Sequence, residues 1–515
     1  MSVRLFSASI QGIDAQLIEV EVDSSPGIHA FNVVGLPDKA VQESEDRIAS
    51  AIRNIGLKPP GSKNAKFVVN LAPADLKKEG ASFDLPIAIA YLFESKQVKF
   101  DPEGRIFCGE VALDGTLKHV SGVLATAILA KSLNFREIIV PQVNAKEAAV
   151  IEGIDVIGAK TLKDVMAHLD GTGKILPCQP SIDDRIFGQN LATKDSSLLY
   201  IKGQQAAKRA MVVAAAGGHN LFMCGAPGAG KTILAKAFSE LLPPLALNEA
   251  IEVAKIYSAI GMIKDTPLSF RRPFRNPHHT TSAVAVIGGG AWPKPGEISL
   301  AHRGVLFLDE LPEFARNVLE ALRQPLEEGT VVISRAAGSI VLPAKFTMVA
   351  AMNPCPCGNY GDESAICICS ASHVLRYRKK VSGPLLDRMD IQINVSRETI
   401  QSTSPTATIE EVSKIKENIA KSRQIQQDRL KDRGILTNSE ISFKNVDQVC
   451  ALSPSAQKLL EQAINAKRLS MRTYHKIKKI SRTIADLEQS EAIAENHVAE
   501  AINLRVNDAL FSELA

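Results

Sequence analysis

The residues best placed for chemistry lie at 219–238, HNLFMCGAPGAGKTILAKAF. The octet Gly225-Ala226-Pro227-Gly228-Ala229-Gly230-Lys231-Thr232 fits GxxxxGK[ST], with an apolar strand pattern before it and a helical pattern after it. Glycines there let backbone N–H groups turn inward around phosphate oxygens. Lys231 then reaches the β and γ phosphates, and the Thr232 hydroxyl ligates Mg2+. A merely structural turn would not need the lysine and the flanking elements together. The chemistry implied is binding of ATP with Mg2+.

Hydrolysis needs further groups, and the downstream chain supplies them. GVLFLDE, at 304–310, is an apolar strand that delivers Asp309 and Glu310 to the carboxyl edge of a sheet. Asp309 is expected to hold Mg2+, directly or through water, and Glu310 to polarise the attacking water. The blander reading, two acids capping a helix, loses ground with a phosphate loop upstream. FTMVAAMNP, at 346–354, ends in Asn353, which could orient that water against the γ-phosphate. SGPLLDRMDI, at 382–391, carries Arg388 just before the next strand. An arginine there could stabilise charge on a neighbouring subunit's nucleotide, or simply pair with Asp387 or Asp390.

Four of the eight cysteines are crowded into one stretch: Cys355 and Cys357, then Cys367 and Cys369. Four thiolates can close a tetrahedral Zn2+ site in a loop of this kind, although CxC pairs strain a chelate more than CxxC. His373 could substitute for one of the four thiolates, and the alternative to a zinc site is a reduced, metal-free cluster.

These groups need a framework. A chain of 515 residues is too long for one core, and 45% hydrophobic with 23% charged residues is globular. Residues 1–168 read as one unit of short strands and helices, and 169–184 as a linker rich in Gly, Pro and Asp. Residues 185–400 alternate strands with helices, hence a parallel sheet. Residues 401–515 turn helical, opening with a long charged helix from 408. A net charge of +4 neither requires nor forbids nucleic acid. The N-terminus lacks a signal peptide's apolar stretch and no segment suits a membrane span. A cytoplasmic protein with reduced thiols and no membrane partner is expected.

Across 200–395, the motifs GAPGAGKT, RPFRNPHHTTS, GGGAWPKPGEISLAHRGVLFLDELPEF, MNPCPCG and GPLLDRMDI resemble the magnesium-chelatase-like AAA+ ATPases, and within them the ComM/YifB family. The resemblance covers essentially the whole chain. It implies an α/β AAA+ P-loop core with an α-helical lid, preceded by an α+β Lon-protease-like domain. It implies a homo-hexamer with ATP between subunits. It implies a DNA helicase or branch-migration motor on single-stranded and branched DNA, promoting homologous recombination during natural transformation beside a recombinase. In that frame Asn353 matches sensor 1, Arg388 the finger and Arg472 sensor 2, with Arg482 as the alternative.

The Lon likeness rests on KEGASFDLPIAIAYL, at 78–92, and FCGEVALDGTLKHVSGVLATAILAKSLNFREIIVP, at 107–141. Ser82 stands at the nucleophile position, but the lysine position is Leu124, which cannot take a proton, and Lys118 lies a turn too early. The domain is therefore expected to pack, oligomerise or touch DNA, and to cleave no peptides. The resemblance also implies two insertions that face the pore, the first expected within 275–298. One holds Trp292 and Lys294, and the other is a hairpin at 331–343 with Arg335 at its tip. Stacking and phosphate contacts are the usual grip on single strands, while a buried anchor is the alternative for Trp292. His278 and His279 could gate substrate or bridge subunits. A protein-remodelling ATPase would call for a GYVG-type pore loop, which is not found. A chelatase motor proper would not carry the Lon-like unit.

Overall fold

The computed structural model describes residues 3–28, 30–62, 64–179, 196–263, 268–290, 293–335, 338–362, 365–397, 407–466 and 469–505. The chain divides into two compact units. One is Met1–Ile186 together with Leu247–Ser269, and the other is Phe187–Ala246 with Phe270–Ala515.

The first unit is built on a seven-stranded mixed sheet. Its strands are β1 (Val3–Gln11), β2 (Asp14–Pro26), β3 (Ala30–Val34), β4 (Ala65–Ala72), β5 (Arg105–Phe107), β6 (Glu137–Pro141) and β7 (Asp155–Ala159), in the order β3-β4-β2-β1-β5-β6-β7. The alternating burial of β2 and β4 shows one face turned to the core. Helix α1 (Asp84–Glu94) is apolar nearly all round and is buried from Asp84 through Leu92, as a central helix must be. Asp84 opens it, held by a two-pronged pair of 2.9 Å bonds from Arg47. Helices α2 (Val123–Ser132) and α3 (Gln142–Ala148) lie in the same unit, with further helices at Ser44–Asn54 and Leu162–Asp170.

The segment Leu247–Ser269 was read with the ATPase core in sequence, yet its contacts are with the first unit. The cause is a buried polar network. Gly122 N donates to Ser258 O at 2.9 Å, and Leu124 N donates to Glu147 Oε1 at 3.2 Å and to Ser258 Oγ at 3.4 Å. Asn144 holds the other Glu147 oxygen at 3.0 Å. Glu147, Asn144 and Ser258 are almost wholly buried, so each group left unbonded would carry a desolvation cost of roughly 1–3 kcal/mol.

In the second unit five parallel strands form the sheet: β8 (Leu221–Gly225), β9 (Phe274–Arg275), β10 (Val305–Leu308), β13 (Thr347–Met352) and β14 (Ile391–Val395). The order is β9-β10-β13-β8-β14. Between β10 and β13 lies the antiparallel hairpin of β11 (Thr330–Arg335) and β12 (Gly338–Pro343). β8 and β10 are continuous apolar runs because helices cover both faces of a parallel sheet. The covering helices include α4 (Gln205–Gly217), whose Ala210, Ala214, Ala215 and Ala216 are fully buried, and α5 (Lys231–Leu241).

The helical end comprises α7 (Ile409–Leu430), α8 (Pro454–Ala466), α9 (Met471–Leu487) and α10 (Glu495–Arg505); α6 (Leu247–Ala259) belongs to the first unit. A capping box between Thr408 and Glu411 starts α7. Helix α9 buries Thr473, Ile477, Ile480 and Ile484, spaced at helical intervals, in the same core as the sheet. Among the described residues no helix is long and apolar enough to cross a membrane.

Candidate active site

The sheet order decides which side chains meet. β13 lies between β8 and β10, pairing Cys224 with Met352 and Leu308 with Ala350, so all three strands end together at one edge. Just past that edge come the phosphate loop, Asn353 and Asp309. Ligands sit at this edge in open α/β sheets.

The loop from Gly225 turns through Gly228 at φ 78° and Gly230 at φ 88°, conformations that glycine reaches without strain. α5 then starts at Lys231. The Lys231 ammonium donates to Gly225 O at 2.7 Å, Ala226 O at 3.0 Å and Asn353 Oδ1 at 3.0 Å. Burial pulls its pKa below the usual lysine range, against the opposing pull of Asp309, Cys224 and Glu310. The Thr232 hydroxyl donates to Asp309 Oδ2 at 2.8 Å. One hydroxyl and one carboxylate thus converge as a hard-oxygen pair of the kind that suits Mg2+.

Glu310 is exposed and takes a left-handed backbone, φ 51°, which is costly for a residue with a Cβ. Its amide donates to Asp309 Oδ1 at 3.0 Å, while its carboxylate lies 3.5 Å from His279 Nδ1. The two acids therefore face different partners. His279, left without a definite role in sequence, stands beside the candidate base, its ring 4.1 Å from that of His278.

Arg388 and Arg472 come together elsewhere. Arg388 Nη2 and Arg472 Nη2 both reach Glu327 Oε1, each at 2.7 Å, and Arg388 also donates to Pro384 O and Arg323 O. Arg482, the alternative to Arg472, is buried on Asp486 and on the carbonyls of Ser490 and Glu491. Its side chain is packed in the helical core, whereas Arg472 is half-buried. The shared partner Glu327 was not singled out in sequence. Nor was Arg397, which donates to Pro227 O at 3.2 Å and pairs with Asp362 at 3.3 Å. A lone arginine after a strand belongs to no motif, so only the fold reveals it.

The thiols of Cys355, Cys357, Cys367 and Cys369 lie within 4.8 Å of one another without help from His373. Lys294 is exposed on a two-residue ladder with Gly289. Arg335 ends β11 opposite Gly338, at the tip expected of it, although its side chain and residues 336–337 lie outside the described set. Trp292 also lies outside the described residues. In the first unit Leu124 is fully buried, and its amide is engaged by Glu147 and Ser258. Lys118 is exposed, opposite Glu110 on a short ladder. No basic nitrogen stands at the position of Leu124.

Three family models match the chain. They are subunit ChlI of Mg-chelatase over residues 20–144, magnesium chelatase subunit ChlI over 197–403, and its C-terminal region over 409–505. The competence protein ComM of Haemophilus influenzae is 42% identical over 521 residues, covering 99% of each chain. A YifB protein of Escherichia coli is 40% identical over 98% of this chain and 97% of its own. Lon protease 2 of Bacillus subtilis is 23% identical over 167 residues, 30% of this chain and 29% of its own. With its parallel-sheet core, its phosphate loop and this full-length likeness, the chain belongs to the ComM/YifB family of magnesium-chelatase-like AAA+ ATPases.

Proposed function

We propose that the chain is an ATP-driven motor on DNA, working as a hexameric ring in the cytoplasm and migrating branched DNA during recombination in natural transformation. The observation that carries the motor is the convergence of Lys231 with Asn353 and of Thr232 with Asp309 at one sheet edge, with Glu310 beside them. Lys231 neutralises the β and γ phosphates, Thr232 and Asp309 hold Mg2+, and Glu310 orients and deprotonates the attacking water. Asn353 keeps that water in line. Arg388, held on Glu327 beside Arg472, stabilises the transition-state charge on a neighbouring subunit's nucleotide, and Arg472 acts as sensor 2 from the helical lid. The transformation role is supported by the likeness to a protein named for competence. The bound groups are ATP and Mg2+, and the cysteine cluster offers a ligand set for Zn2+.

The grip on DNA is assigned to Arg335 at the hairpin tip and to Lys294, with Trp292 for stacking. A recombinase is the expected partner at the branch. Phosphate contacts release counterions, so binding should weaken with salt by a slope of about 0.7 per single-strand phosphate neutralised. Arg335→Ala is expected to lower affinity for a labelled single strand and flatten that slope. The check is fluorescence anisotropy across a salt series, on protein confirmed as rings by sedimentation. An unchanged slope in intact rings would move the DNA track away from this hairpin.

A further inference from the structure

We propose that Cys355, Cys357, Cys367 and Cys369 hold one structural Zn2+, and that this ion braces the phosphate loop. The inference extends the nucleotide reading of that loop and rests on it.

The thiol geometry points to a metal. Three Sγ separations are 3.4 Å (Cys355–Cys357), 3.7 Å (Cys355–Cys367) and 3.6 Å (Cys357–Cys367), and all four cysteines are free thiols. A tetrahedron of sulfurs at the usual Zn–S distance of about 2.3 Å has edges of about 3.8 Å. A disulfide needs about 2.05 Å, so the observed spacing suits an ion shared by four sulfurs. The Tyr360 amide points at Cys355 Sγ at 3.3 Å, the kind of outer bond that steadies a ligating thiolate. Four sulfurs close the coordination sphere, which makes the site structural.

What the ion would hold is the nucleotide loop. Asn353, bonded to Lys231, lies just before Cys355. Gly358 follows Cys357 at φ 84°, and a Cβ there would come within 2.3 Å of Pro227 Cδ. Gly358, at the start of the turn that follows Cys357, thus rests directly on the phosphate loop. Asp362 in the same turn pairs with Arg397, whose guanidinium also donates to Pro227 O. Arg378 closes the other side, donating to Pro354 O at 3.1 Å and lying 4.8 Å over the Tyr360 ring. Clamping the four thiols fixes this turn, and the turn fixes Pro227.

The test uses the full chain purified under reducing conditions with ZnCl2 present, then desalted. Elemental analysis is expected to give one zinc per chain, released when a mercurial has titrated four thiols and followed by a metal-sensitive dye. Release should weaken binding of fluorescent mant-ATP at least ~10-fold, because small displacements of positioning groups carry large penalties. Cys367→Ser/Cys369→Ser should lose the zinc, and Cys450→Ser should keep it. Since the double variant could fail to fold, the mercurial titration of the native chain carries the same question independently. Zinc well below one per chain, or iron in its place, overturns the metal assignment. One zinc per chain whose release leaves mant-ATP binding unchanged overturns the brace and leaves the nucleotide site standing. A zinc-loaded chain that binds no mant-ATP refutes the nucleotide reading, and the brace with it.

Discussion

Glu310→Gln is expected to keep ATP binding while slowing hydrolysis by ~10²–10⁴-fold, the usual worth of a positioned general base. The two acids touch different groups. Asp309 accepts from Thr232 and from the Glu310 amide, so both its oxygens are engaged near the Mg2+ position. Glu310 is turned away by its left-handed backbone, exposed and with His279 beside it. An amide at 310 keeps the shape and can still orient water, but it cannot take the proton. The measurement is single-turnover hydrolysis with saturating Mg-ATP, alongside mant-ATP binding. A wild-type rate would remove Glu310 as base and turn attention to its neighbours.

The second large effect concerns stability. Lys476 of α9 reaches Asp390 Oδ1 at 2.8 Å, and the Asn220 amide, just before β8, holds Asp390 Oδ2 at 2.8 Å. This buried ion pair joins the helical end to the sheet. Lys476→Met would leave the carboxylate buried without its main counter-charge, so the second unit should lose about 3–5 kcal/mol. Lys476→Met/Asp390→Asn should recover much of the loss, because no charge is then stranded. Thermal unfolding of the four combinations gives the coupling, and equal losses in the single and double variants would contradict it.

Acid supplies an independent check on the same pair. Burial alone would raise the Asp390 carboxyl, but Lys476, His219 and hydrogen bonds from Lys476 and the Asn220 amide hold it at about 2. A carboxyl depressed on folding adds stability that is present above its unfolded value near 4. That stability is lost as pH falls toward 2. Asp390→Asn should therefore lose stability less steeply than the native chain over that window.

The legible parts of this protein were those whose meaning is local. The phosphate loop declares itself because strand, glycines, lysine and helix are contiguous, and Asp309 and Asn353 are legible because each ends an apolar strand. The four cysteines were legible by density, and their spacing in space agrees with a shared ion. What sequence did not reveal depends on contacts between distant segments. Helix α6 reads as one more helix of an α/β alternation, and it is the assembled Gly122–Glu147–Ser258 network, with the Lys255–Asp14 ion pair, that ties it to the first unit. Glu327 is one of many surface glutamates until two arginines from different elements arrive at the same oxygen. The burial of Arg482 is likewise invisible in sequence, since it lies on α9 with Arg472 and both have similar neighbours there.

The most direct test of a DNA motor is the rate of ATP hydrolysis by the full chain with and without a forked DNA, at fixed Mg-ATP and salt. An unfolded protein and a porphyrin serve as the competing substrates. For a DNA motor the fork alone should accelerate turnover, and the fork's strands should separate only while ATP is being hydrolysed. Turnover indifferent to DNA but raised by unfolded protein or porphyrin would contradict it.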